Sequence, residues 1–205
     1  MELRLSTRKR RSGAERRQEI LGAALEICLD DGIAALRTEK IARKVGLSPG
    51  GIFRHFPSKK AILSELTRSL IARLEAANPE FPPEERPLDW LETFVARRVR
   101  AFRKDPGLRL LFSPEFEKAL PPAVKKELRA FFARSWDELL SAIRAAQALG
   151  AVRRDLAPEE LAAVVAALVQ MTSQPAVTRV LKEESDPRWI WHTVADLLRP
   201  AAAVG

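Results

Sequence analysis

The stretch TEKIARKVGLSPGGIFRHFPSK, residues 38–59, constrains the fold more than any other part of the chain. Ile41, Ala42 and Val45 have helical spacing, and Gly46 stops that helix. Leu47 follows, and Ser48-Pro49 opens a second helix, because a serine oxygen can take exposed amides and proline fits the first helical position. Pro57 breaks this helix and Ser58 caps a third. Two short helices held at a fixed crossing angle need a small residue where they touch, a glycine where the turn has positive φ, and apolar inner faces. Counting Thr38 as the first position, Ala42 is the small residue, Gly46 the turn, and Ile41, Val45, Leu47 and Ile52 the inner positions. This is helix-turn-helix geometry. An ordinary corner between two helices has the same turn, but the basic flanks and polar outer face favour a surface built for DNA.

The rest of the chain is also read as helical. A first helix is expected from about Ala14 to Asp31, with Ile20, Ala24, Ile27 and Cys28 on one face and Gly32 at its end. The helix capped by Ser58 reaches about Ala77, and NPEFPPEERP, residues 78–87, reads as a linker. Helices then resume from about Leu88 to Lys104, Leu108 to Phe112, Ala123 to Leu149, Glu159 to Met171 and Arg188 to Leu198. Gly150 and Pro175 mark breaks, and Asp186 and Pro187 cap and open the last helix. No strand-like alternation or internal repeat is visible. The expected fold is all-α: a basic arm over residues 1–13, a small helix-turn-helix domain over 14–60, and a larger helical domain over 61–205, the helix after Ser58 connecting the two.

Charge separates the same parts. The net charge is +8, yet residues 1–60 hold fourteen basic and seven acidic side chains, leaving about +1 for the other 145 residues. A charged front and a nearly neutral body suggest one polyanion-facing module and one with another task. An enzyme is not expected. His55 and His192 are the only histidines, Cys28 lies on an apolar helix face, and there is no phosphate loop or metal-ligand spacing. No catalytic residue, metal or cofactor is therefore assigned. A single cysteine rules out an internal disulfide, and no signal-like or membrane-spanning apolar run is present. The expectation is a soluble, cytoplasmic protein without membrane contact.

ILGAALEICLDDG, TEKIARKVGLS and GGIFRHFPSKKAIL, in that order and spacing, resemble the N-terminal domain of the TetR family of bacterial regulators over about residues 14–65. The resemblance implies contacts to double-stranded DNA from Arg37, Thr38, Ser48, Pro49, Gly50, Gly51, Phe53, Arg54, His55 and Lys59. Pro49, Gly50 and Gly51 leave the start of the second short helix nearly bare, so backbone could approach phosphates or base edges, with helix-end amides presented to them. The family's T-[LI]-Y-x-[HY]-F signature here reads Gly51-Ile52-Phe53-Arg54-His55-Phe56. Phe53 replaces a phosphate-donating tyrosine and can only pack on sugar or a thymine methyl. Arg54 is the candidate for base reading or a phosphate clamp, and Lys59 matches a phosphate-contacting lysine. His55 has two readings, a phosphate donor or a packed histidine sealing the helix, and packing is preferred. The run Arg8-Lys9-Arg10-Arg11 is either a groove-reaching arm or a solvated tail.

In the body, Leu91, Phe94, Val95, Val99 and Phe102 form one stripe, with Arg98 near its middle. A guanidinium there must snorkel, pair with an internal carboxylate, or await an anionic group. The resemblance implies a pocket for a small, often apolar effector, for which Leu91, Phe94, Arg98, Phe112, Phe131 and Met171 are the candidates. ELAAVVAALVQM is apolar nearly all round and must be buried on both sides, and the last helix is strongly amphipathic. Two such helices per chain suit a four-helix homodimer interface, as in the family. The functional expectation is a dimeric, ligand-responsive repressor on a palindromic operator. An effector-independent architectural or nucleoid-associated protein, or an activator, remains the alternative.

Overall fold

The computed structural model describes residues 12–80, 82–174, 176–177 and 188–200. Nine α-helices are described: α1 (Gly13–Asp30), α2 (Thr38–Val45), α3 (Pro49–Phe53), α4 (Lys59–Glu75), α5 (Pro87–Lys104), α6 (Pro114–Ala119), α7 (Pro122–Ala148), α8 (Pro158–Met171) and α9 (Arg188–Leu198). Short 3-10 segments cover Ile33–Ala35 and Pro106–Phe112. Among the described residues there is no strand, so the fold is all-α. Residues 1–11 of the expected arm, Pro175, and the Asp186-Pro187 helix start lie outside the described residues.

Proline sets many of the starts. The second 3-10 segment and α3, α5, α6, α7 and α8 each begin on a proline, where its fixed φ is suitable and its missing N–H would have been an orphan. This is why α5, α7 and α8 begin one residue before the positions expected from apolar periodicity. Side-chain caps complete other ends. Ser12 and Glu15 form a reciprocal capping box on α1, with bonds of 2.7 and 3.2 Å. Ser58 accepts from the Ala61 N–H, and Ser113 from the Phe116 N–H.

The chain divides after Leu66, inside α4, into two compact units. In the first, α1 contributes Ile20, Ala24 and Ile27, α2 contributes Ile41, Ala42 and Val45, and Ile52, Phe56, Ile62 and Leu63 close the core; all are buried. Arg17 ties three segments together. Its guanidinium donates to the His55 carbonyl, pairs with the Glu65 carboxylate, and stacks 4.3 Å from the Phe56 ring centre. In the second unit, α5 packs on α7, α7 on α8, and α9 on both α5 and α8. Trp90, Leu91, Val95 and Val99 of α5 are fully buried there with Phe131, Leu139 and Ile143 of α7. Phe102, Phe112, Phe132 and Phe131 form a chain of ring contacts at 5.6, 5.1 and 5.2 Å.

Cys28 is buried, and desolvation pushes its thiol up to about 11 against a smaller opposite pull from Lys59. At pH 8 about one such thiol in a thousand is ionised. The native chain should therefore react with an aromatic disulfide reagent far more slowly than the urea-unfolded chain; equal rates would place Cys28 outside the core. Gly46 offers a second check. Its φ of 66° is left-handed, and no atom lies within 4 Å of where a Cβ would be. Gly46→Ala should thus cost only the backbone term, about 1–2 kcal/mol, read as a lower urea midpoint with an unchanged slope.

Candidate nucleic-acid interface and effector cavity

The helix-turn-helix is closed by backbone bonds. Gly46 is in the left-handed region (φ 66°, ψ 38°), and its N–H reaches the Ala42 and Arg43 carbonyls. The Leu47 N–H returns 2.9 Å to the Ala42 carbonyl, completing a Schellman turn. Ser48 Oγ then accepts from the Gly51 N–H at 3.1 Å and starts α3. Pro49 has no N–H, so within the first turn of this five-residue helix the Gly50 N–H alone lacks an acceptor among the described residues. The expected set of helix-end amides is reduced to one, because the serine cap and the proline take up the others.

The two glycines differ. Gly50 is exposed, and a Cβ on it would meet only Ser48 Oγ, at 3.9 Å. Gly51 is buried, and its Cβ would meet Leu47 and Ser48 side-chain atoms at 3.4 Å. The bare outer surface of α3 therefore consists of Pro49 and Gly50, while Gly51 serves the inner face. Ser48 is exposed beside them and Phe53 is 51% exposed. Arg54 projects next to Phe53, and with the half-buried His55 it lines a hollow of about 680 Å³ that also touches Arg16. Arg37 is exposed at the start of α2, with Thr38 half-buried after it, and Lys59 is half-buried at the start of α4.

The basic side chains sort into two groups. Lys40 pairs with Asp31 at 2.9 Å, Lys44 with Glu26 at 2.7 Å, Arg16 with Glu19 and Arg17 with Glu65. The hydrogen bond to Glu26 holds the Lys44 ammonium above its usual range. Arg37, Arg43, Arg54, Lys59 and Lys60 make no ion pair among the described residues. The acids of this unit thus neutralise bases around α1 and the back of α2. The cations without such pairs are Arg37 at the start of α2, Arg43 in its last turn, Arg54 at the end of α3, and Lys59 and Lys60 at the start of α4. The +7 front is therefore a mixture of structural pairs and free charge, which composition could not separate.

The second unit holds a cavity of about 500 Å³ between α5, the Pro106–Phe112 segment, α7 and α8. Phe94, Arg98 and Phe102 of α5 face it with Phe112, Phe132 and Trp136. Its polar side chains are Arg98, Ser135 and Gln170, and no carboxylate lines it. Of the six residues expected there, Phe94, Arg98 and Phe112 line this cavity. Leu91 and Phe131 do not, since both are buried in the helix contacts behind it. Met171 is 52% exposed on the far edge of α8, beside a separate small hollow. The α5 side chains at intervals of four, Phe94, Arg98 and Phe102, share the cavity row, while Leu91, Val95 and Val99 belong to the adjoining core row.

Arg98 is only 4% exposed, so it does not snorkel. Its Nε and Nη2 donate to the Asn78 side-chain oxygen at 3.1 and 2.6 Å, and Nη2 also reaches Ser135 Oγ at 3.2 Å. It lies 5.0 Å from the Phe94 ring centre. Asn78 Nδ2 donates in turn to Glu138 at 3.1 Å. Burial pushes the guanidinium down to about 10, opposed by the charges of Glu138 and Glu75. Burial likewise raises the Glu138 carboxyl. Among the described residues no group of His, Cys, Asp and Glu is placed to hold a metal ion, and no helix is long and apolar enough to cross a membrane.

Comparison with known proteins agrees with this division. Residues 20–66 match the family described as bacterial regulatory proteins, tetR family. The repressor KstR of Rhodococcus jostii (strain RHA1), an HTH-type transcriptional repressor, is 29% identical over 94 residues, 46% of this chain and 44% of that protein. The nucleoid occlusion factor SlmA of Vibrio cholerae serotype O1 is 30% identical over 48% of this chain and 51% of its own. The chain thus spans about half the length of these curated relatives. Among solved structures, the TetR family regulator PfmR of Thermus thermophilus superposes with a TM-score of 0.74 at 20% identity, over 91% of this chain and 97% of that one. AibR, solved in complex with isovaleryl coenzyme A and operator DNA, gives 0.68 at 16% identity, over 91% and 100%. At these identities the superpositions establish the shared fold. The family is one of DNA-binding regulators and not of enzymes. Residues 20–66 thus match the tetR family of bacterial regulatory proteins, and their turn, caps and buried inner face are those of a helix-turn-helix.

Proposed function

We propose that the chain is a homodimeric transcriptional repressor that binds a palindromic operator through α3 and is released by a small effector held in the cavity of the second unit. The observation that carries this reading is the sorting of charge in the first unit: among the described residues Arg54, Arg37 and Lys59 have no acidic partner, and Arg54 follows exposed Phe53 and the bare Pro49-Gly50 surface of α3. In this arrangement α3 enters the major groove, Arg54 reads a base edge or clamps a phosphate, and Phe53 packs on sugar or a thymine methyl. His55 seals α3, since its carbonyl accepts from Arg17 and its ring is half-buried. KstR, a repressor by name, and AibR, solved with both a ligand and operator DNA, support the same direction for this chain.

The dimer is supported by apolar side chains of α8 and α9 that are exposed among the described residues. Leu161 and Val165 of α8 are buried within the unit, whereas Val164 is 45% and Met171 52% exposed, as is Leu197 of α9 at 45%. An outer face of this kind on adjacent helices suits pairing with the same helices of a second copy. Two α3 helices would then meet successive major grooves about 34–36 Å apart. Release requires that the effector bind the operator-competent and incompetent states unequally. The helix α4 contains the division between the units, and it is the element assigned to carry the change.

Selection from random-sequence DNA, followed by salt titration of the selected site, tests this reading. The expected result is a palindrome with a steep salt slope. Tight, salt-dependent binding with no enriched sequence would instead favour a nucleoid-associated role, the reading supported by the match to SlmA. Arg54→Ala should weaken binding to the selected palindrome about tenfold or more, with little change on random DNA.

Gly50→Ala separates folding from recognition. Its new methyl has open space, so the fold should gain about 0.4–1 kcal/mol while operator affinity falls. Unchanged affinity in a stabilised Gly50→Ala variant would remove the close backbone approach.

A further inference from the structure

Among the described residues, the buried polar side chains of the second unit include one that is charged, Arg98. It is a charged side chain in the interior, and no ion pair to it occurs among the described residues. Its Nε–Nη2 edge, the fork that suits a carboxylate, is occupied by the neutral amide oxygen of Asn78. Its Nη1 makes no hydrogen bond among the described residues, yet it is not a sealed, unsatisfied atom. Arg98 lines the cavity beside Ser135, whose Oγ accepts from its Nη2. The remaining wall is aromatic and aliphatic, apart from Ser135 and Gln170. Glu138 is reached only through the Asn78 amide, and desolvation of the guanidinium outweighs the opposing pull of the carboxylates.

We propose that the cavity receives an amphiphilic carboxylate whose anionic group takes the Arg98 fork from the Asn78 side-chain oxygen, with its hydrocarbon among Phe94, Phe102, Phe112 and Trp136. The exchange is favourable because a carboxylate neutralises the buried guanidinium and meets its fork with two parallel bonds, whereas Asn78 offers both nitrogens one neutral oxygen. Low polarity around the guanidinium strengthens it further. The exchange also has a structural consequence. Asn78, the chain's only asparagine, follows the end of α4 and is held there by Arg98, by the Arg97 Nη1 bond to its carbonyl at 3.1 Å, and by Glu138. An anion on Arg98 removes the first of these restraints, so occupancy of the cavity is registered at the C-terminal end of α4. This ligand class rests on the effector-responsive reading above, but its test requires no DNA.

Decanoate and 1-decanol, which share a chain and differ in charge, are the probes. Binding to the full chain is read by calorimetry and by tryptophan fluorescence, to which Trp136 in the cavity wall contributes. Decanoate should bind about tenfold or more tightly than 1-decanol. Arg98→Met should abolish that preference, so that decanoate binds the variant no more tightly than 1-decanol does. Equal binding of the two probes to the unaltered chain, no binding of decanoate, or a preference that survives Arg98→Met would overturn the proposal. Asn78→Ala provides a measurement that does not depend on Arg98→Met folding. It removes the competing oxygen and should tighten decanoate severalfold, on the order of the threefold to tenfold expected for one hydrogen bond; unchanged or weaker binding counts against the exchange. A failed operator selection with the decanoate preference intact would reject the repressor reading alone. A selected operator with no preference would reject this inference alone.

Discussion

The left-handed turn at Gly46 is the constraint on which the whole DNA-facing surface depends. Helices of eight and five residues have no stability of their own, because nucleation is costly and few bonds follow it. α2 and α3 exist because the Leu47 N–H folds back to the Ala42 carbonyl, Ala42 is small enough for a close crossing, and Ile41, Val45 and Ile52 close a core with α1. With Ile52 and Gly51 committed inward, the residues left on the outside of α3 are Pro49, Gly50, Phe53 and Arg54. Their exposure is the remainder of a fully used inner face.

Most of this geometry could be read from the sequence because it is local. Glycine at the turn, alanine four residues before it, and serine and proline at the next start each have one physical reason within a few positions. The ends of α2 and of the described α9 coincide with the expected ones for the same reason. The six-residue α6 carried too short a period to be seen, although Ser113-Pro114 was a cap signal available for it. What composition hid was the division of charge. Lys40 and Lys44 look equivalent to Arg37 and Arg43 along the chain, yet two of them face acids on and after α1 and two do not. Only the packing of α1 on α2 decides which, and that is a tertiary fact.

The second unit shows the limit more sharply. A helical stripe identifies residues that avoid water but not what they face instead. Along α5 the row Phe94–Arg98–Phe102 borders empty volume and the row beside it borders other helices, a difference of one residue in the helical net. Leu91 and Phe131 thus belong to the core, and Met171 lies on an outer face, although all three had the composition of cavity residues. Asn78 was invisible for a different reason. It sits at the head of a proline-rich stretch that reads as linker, and its partner is twenty residues further along.

That partnership explains how a core can hold an arginine without an ion pair. Burying a guanidinium is expensive, and a neutral amide returns only part of the hydration it replaces. The aromatic faces of Phe94 and Phe131, 5.0 and 5.7 Å away, return a little more. A buried pair with a carboxylate in direct contact would satisfy the charge internally and leave an incoming anion little to gain. Asn78 instead gives Arg98 a partner good enough to hold its position and weak enough to be exchanged. Glu138 lies one residue further back, where it orients the amide without occupying the fork. A ligand can shift an equilibrium only by its difference in affinity between two states. In this unit the difference resides in one oxygen, neutral and intramolecular before binding, anionic and supplied by the ligand afterwards.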